Sequence, residues 1–229
     1  SAQPPFAGEA ARQAFEKGNA LWESDRSTEA WSRFKMAREL DLLRFRTVAE
    51  LNRRTREVAE AQELTYIDAV AAFQPGAGPI GYEAFWEHVH FTFEGNYHLS
   101  RTWFAPLVQR LVTSGKLKEA RAFPSIEEMA TLLAYSRYEK WRLVREMIDR
   151  HGKPPFTSIP GNTDRLRQLE KQRDELAEMM ASKTEQESIY QRLGSALERD
   201  PEDWVLHRQA GDAYRVYGDW QASVDAYRN

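Results

Sequence analysis

The stretch FWEHVHFTFEGNYHLS (85–100) concentrates the chemistry-bearing residues of this chain and decides how the rest is read. Three of the five histidines, His88, His90 and His98, fall within it. His88 and His90 are two residues apart, as two ligands on one strand face would be. A zinc site would need a third ligand, from Glu87 or His98, and the spacing matches no recognised metal signature. No metal and no cofactor is therefore expected. Downstream, the period predicts a helix over about 94–111. Upstream, LTYIDAVAAF (64–73) holds the strand formers Leu64, Tyr66 and Ile67, which predict a short strand ending near Asp68. QPGAGPIG (74–81) is a loop by composition. One strand alone has nothing to pair with, so part of a sheet is expected to be missing.

The spacing Glu87-x-x-His90-x-x-x-x-Gly95-x-x-x-x-Ser100, preceded by a strand and a Pro/Gly loop, resembles the last block of the SGNH (GDSL-type) hydrolase superfamily. That block is an acid three residues before a histidine, a glycine five beyond it, and a helix with a small residue facing inward. The resemblance implies a flavodoxin-like three-layer α/β fold and acyl-ester chemistry. His90 would be the general base toward a serine nucleophile, and Glu87 would orient the imidazole and stabilise its charged form. Gly95 would permit the turn into the following helix. Glutamate stands where the family has aspartate, which needs a different loop geometry. The run ARELDLLRFRTVAELNRRTREVA (37–59) resembles a segment upstream of this block in hydrolase-like proteins fused to helical repeats. Its Arg44 and Arg46 read as helix-surface or carboxylate-pairing residues, with no catalytic role.

The family's Gly-Asp-Ser nucleophile motif does not occur. Gly211-Asp212-Ala213 and Gly218-Asp219-Trp220 lack the serine, and Asn19 and Asn96 are not in the Gly-x-Asn context of an oxyanion donor. Triad chemistry needs both parts, so the chain by itself is expected to be inactive. It reads as an interior portion of a longer protein, or as a degenerate relative that has lost its sheet. The aromatics Phe85, Trp86, Phe91 and Phe93 would line an acyl or sugar pocket, or simply pack a core.

Elsewhere the periodicity is helical. Ala14, Gly18, Leu21 and Trp22 share one face. Ser27 is the expected N-cap of a helix with Ala30, Phe34, Ala37 and Leu40 inward. A further helix is expected over about 47–61, with Val48, Leu51, Thr55 and Val58 at spacings of three and four. Helices follow at about 125–135 and 137–151, with His151 at a helix end that favours a cation. GKPPFTSIPGN (152–162) breaks the chain. The charged helix 163–183 carries Leu166, Leu169, Leu176 and Met180 at a spacing interrupted by Arg173, so it is expected to pack on a neighbour rather than form a coiled coil.

Residues 204–229 resemble a tetratricopeptide repeat, a helix pair of about 34 residues with small residues where its helices touch. Gly211, Tyr214, Gly218 and Tyr227 fall at its offsets, Pro201 closes the preceding repeat, and Leu193 and Ala196 fit that repeat. Ser223 and Ile189 depart from it. Gly18-x-x-Leu21 followed by Ala30-x-x-x-Phe34-x-x-Ala37 repeats the offsets at 11–41, where any antiparallel hairpin also fits. Repeats of this kind bind protein partners.

The expected class is thus mainly α. Residues 1–115 form the C-terminal remnant of an α/β domain with a helical hairpin near 11–41, residues 116–185 are connecting helices, and residues 186–229 are a truncated repeat. The expected function is part of an SGNH-like esterase or acyltransferase whose nucleophile lies outside the chain. The alternative is a non-catalytic scaffold binding a protein partner. Net charge is -3 (32 basic, 35 acidic residues), which argues against nucleic acid as a partner. No run approaches the roughly 18 apolar residues of a spanning helix, so no membrane insertion is expected. The absence of cysteine removes disulfides and thiolate chemistry and leaves the compartment open.

Overall fold

The computed structural model describes residues 8–42, 47–73, 80–159 and 161–228. The chain is mainly helical, 71% helix, and no strand occurs among the described residues. The chain divides into two compact units between Phe123 and Pro124.

In the first unit, α1 (Glu9–Glu23) and α2 (Ser27–Leu40) form a hairpin. Its helices approach closely because small residues face the contact: Ala11, Ala14, Gly18, Ala30 and Ala37 are buried. A Cβ built on Gly18 would lie 2.7 Å from the Phe34 ring, so that ring occupies the space a side chain would need. Phe15 packs on the same ring at 5.7 Å. Trp22 and Leu40, expected inward, are exposed. Ser27 is the first helical residue rather than the cap. Arg26 holds the cap position and bonds its guanidinium to Glu29 at 2.7 Å.

Helix α3 (Ala49–Ala61) forms within the span that the period predicts. Leu51, Thr55 and Val58 are exposed and Ala59 is the buried residue. The helix draws support from its own surface, where Arg53 and Arg54 bridge Glu50 and Glu57 across successive turns. The expected strand at 64–68 is a correction. The segment has no ladder partner among the described residues. Asp68 instead caps the short α4 (Ala69–Ala72), accepting from the Ala71 N–H at 2.9 Å, and pairs with Arg56. The Arg56 guanidinium lies over Tyr66. Of the predicted loop, residues 74–79 lie outside the described residues, as do Arg44 and Arg46. Helix α5 (Phe93–Thr113) completes the elements of this unit.

The second unit comprises α6 (Ile126–Leu132), α7 (Arg137–His151), a 3-10 turn at Phe156–Ser158, α8 (Asn162–Met180), α9 (Lys183–Arg199), α10 (Trp204–Val216) and α11 (Trp220–Arg228). Helix α6 starts with a capping box in which Ser125 and Glu128 satisfy each other's backbone N–H. Helix α8 packs on α7, burying Leu169, Leu176 and Met180. His151 is buried at the end of α7. Its Nδ1 lies 2.7 Å from Asn162 Oδ1, and Asn162 returns a bond to the His151 carbonyl at 3.0 Å, which closes the turn into α8. Ile189, Leu193 and Ala196 of α9 join Ala210 and Ala213 of α10 in one core. In the last hairpin, Gly211 meets the Tyr227 ring as Gly18 meets Phe34, with a built Cβ at 2.8 Å. The buried Ser223 hydroxyl donates to the Gly211 carbonyl at 2.8 Å, which ties α11 to α10.

Two glycines therefore give opposite expectations. Gly211→Val forces the Tyr227 ring out of contact and should destabilise the chain by about 1–3 kcal/mol. Gly194 sits inside α9 with nothing within 4 Å of a built Cβ. Gly194→Ala should stabilise by about 0.5–1 kcal/mol through helix propensity alone. Urea denaturation of both variants checks the pair of signs.

Candidate functional site

The site is the tight loop from Ala84 to Thr92 that leads into α5. Its two arms are joined by the Trp86 N–H to the His90 carbonyl and the Thr92 N–H to the Ala84 carbonyl, each at 2.8 Å. Phe85 and Phe91 form an isolated antiparallel bridge, and their rings stack at 4.4 Å. Phe73 stacks on Phe91 at 5.4 Å, and His98 meets Phe73 edge-on at 4.7 Å. These aromatics pack one another and hold the loop's underside. Among the described residues, one open hollow lies beside Phe104 and Phe123 and another between α10 and α11, neither of them lined by Glu87 or His90.

Thr92 joins the loop to the helix. Its hydroxyl donates to the Glu83 carbonyl at 3.1 Å and accepts from the Gly95 N–H at 3.0 Å, capping α5. Gly95 lies inside the first turn of α5, so the expectation that it permits a turn is corrected. A Cβ there would lie 2.2 Å from the Ala84 carbonyl oxygen. Glycine is required because helix and loop backbones touch. Ser100, expected inward, is exposed.

The structure brings Glu87 and His90 together. The Glu87 side chain is 2% exposed, and its Oε1 receives His90 Nδ1. Oε2 accepts the Val89 N–H at 2.8 Å and lies 3.1 Å from His88 Nδ1. Burial pushes the Glu87 carboxyl up; the Val89 N–H and the two imidazoles outweigh it and hold the carboxyl below the ordinary glutamate value. Glu87 is thus an anion at neutral pH, and the hydrogen on His90 Nδ1 is the donated one. This leaves Nε2 as the basic nitrogen, on a ring whose side chain is 57% exposed. Spacing alone did not reveal His88 as a second imidazole on the same carboxylate. Nor did it reveal Thr92, although a threonine just before a helical period is a cap signal.

His98 takes a structural part, with Nε2 3.0 Å from the Ala72 carbonyl. Among the described residues no three His, Asp or Glu side chains converge to hold a metal. Asp212 of the serine-less Gly-Asp-Ala run is engaged by Arg215 and by the Tyr227 hydroxyl. No protein-family model, curated protein or solved structure matches the chain.

Two outcomes follow from this geometry. Gly95→Ala should detach the loop from α5, read as loss of amide-exchange protection at Trp86 and Thr92. The lowered Glu87 pKa has a defined sign: its stabilising contribution is complete above the unfolded-state value of about 4.3 and is lost as pH falls through the lower folded value. The stability gap between the wild type and Glu87→Gln should therefore close as pH falls below about 4.3, in urea melts run from pH 5 downward.

Proposed function

We propose that this chain carries the base and orienting acid of an SGNH-like acyl-transfer site, in a C-terminal remnant of that α/β domain spanning about residues 1–115. The observation that supports this is the buried, ionised Glu87 seated on Nδ1 of an accessible His90. In this reading Nε2 of His90 takes the proton of a serine hydroxyl as its oxygen attacks an ester carbonyl. The imidazolium then returns the proton to the departing alcohol, leaving an acyl-serine that water or another alcohol resolves. Glu87, itself held by the Val89 N–H and His88, holds the tautomer and stabilises the imidazolium. The serine and the oxyanion donors come from outside these 229 residues.

The test is made in a protein that joins this chain to such a serine. A fluorophosphonate should label that serine, and His90→Ala should abolish both labelling and ester cleavage. Glu87→Gln should lower kcat by about 10³–10⁴-fold. Wild-type turnover by His90→Ala rules out His90 as the base.

A second reading, a tetratricopeptide-like scaffold that binds a protein partner, is favoured by one specific observation. Gly18 with Phe34 and Gly211 with Tyr227 place the same glycine-on-aromatic contact at the same separation in two hairpins. Such hairpins present helix faces and require no chemistry of their own.

A further inference from the structure

Helix α11 is apolar around more of its circumference than α10 covers. Gln221, Asp225 and Arg228 recur at i, i+4 and i+7 and confine the polar residues to one narrow side. Ser223 and Ala226 are buried against α10. Trp220, Val224 and Tyr227, again at i, i+4 and i+7, form a second, exposed apolar stripe. Trp220 is 66% exposed. At its C-terminal end the stripe runs into the hollow between α10 and α11, where Trp204 is 65% exposed.

The hollow is basic. Arg208 lies over the Trp204 ring, 5.4 Å from its centroid, and forms no ion pair among the described residues. Arg228 has Asp225 only at 3.9 Å. The nearby carboxylate of Asp212 is already taken, by Arg215 at 2.9 Å and the Tyr227 hydroxyl at 2.6 Å. Tryptophan, tyrosine and arginine are the side chains on which interface energy concentrates.

We propose that this stripe and hollow dock an amphipathic helix of a protein partner whose apolar face is flanked by glutamate or aspartate. A helix fits because the stripe follows two turns of α11, and helix-in-groove recognition reads such i, i+4, i+7 anchors. Acidic flanks fit because Arg208 forms no ion pair among the described residues and Arg228 has its one carboxylate, Asp225, only at 3.9 Å; a guanidinium over an indole keeps its donors for a carboxylate. The proposal gives the scaffold reading a partner and is independent of Glu87 and His90.

The experiment titrates the 229-residue chain with two synthetic amphipathic peptides by calorimetry. They share one Leu/Ala face, and one is flanked by glutamate, the other by lysine. The glutamate-flanked peptide should bind at least ten-fold tighter, Arg208→Glu should reverse that preference, and Val224→Asp should abolish binding while circular dichroism stays as in the wild type. Arg208→Glu reads the proposal even if Val224→Asp fails to fold. Equal binding of both peptides, lost in Val224→Asp, overturns the acidic partner and leaves the scaffold reading standing. Binding of neither peptide overturns the docking surface itself. Concentration-dependent self-association that Val224→Asp removes overturns it as well, because a second copy is then the occupant.

Discussion

Removing the Glu87 carboxylate from water obliges the chain to supply donors in water's place, and the loop from Ala84 to Thr92 is shaped by that obligation. One donor is the backbone N–H of Val89, which the loop curls back to present. The others are imidazoles, one adjacent in sequence and one three residues on. His88 and His90 are thereby drawn to the same buried group, while the His90 side chain stays 57% exposed. The aromatic stack of Phe73, Phe85 and Phe91 under the loop, and the Thr92 cap at its exit, keep the backbone in the one path that allows this.

A second constraint acts on the hairpins. Helices that meet through glycine and alanine come close enough for one aromatic ring to cover the contact, and the ring's position then fixes the register of the pair. Phe34 does this in the first unit and Tyr227 in the second. Small residues leave little apolar area for a further layer, so the large side chains of these helices are turned outward. Trp22 on α1, Trp204 on α10 and Trp220 on α11 are among the exposed large side chains.

Helices were legible from the sequence because their apolar residues recur at three and four, and their ends carry turn residues: Gly218 after α10, and Pro154 and Pro155 after α7. The Glu87–His90 contact was legible from a three-residue separation within a loop, which lets two side chains reach one point. The strand at 64–68 was misread because β-branched and aromatic content reports extended preference, whereas a strand exists only when a neighbour accepts its backbone bonds. Gly95 was misread for a related reason. Its need is set by the carbonyl of Ala84, eleven residues away, and no local rule carries that contact. The exposed stripe of α3 shows the same limit. Periodicity identifies an apolar face, but only the packed structure says whether anything covers it. The sharing of Glu87 by two imidazoles lies beyond spacing rules altogether, since His88 adjoins Glu87 and would ordinarily point away from a residue next to it.

The nitrogen of His90 that carries the hydrogen decides whether Glu87 orients the ring. Long-range ¹H–¹⁵N correlation spectra of the imidazole above its titration measure this directly. Neutral His90 is expected as the Nδ1–H tautomer, switching toward Nε2–H in Glu87→Gln. An Nε2–H tautomer in the wild type, unchanged by that substitution, would contradict the account.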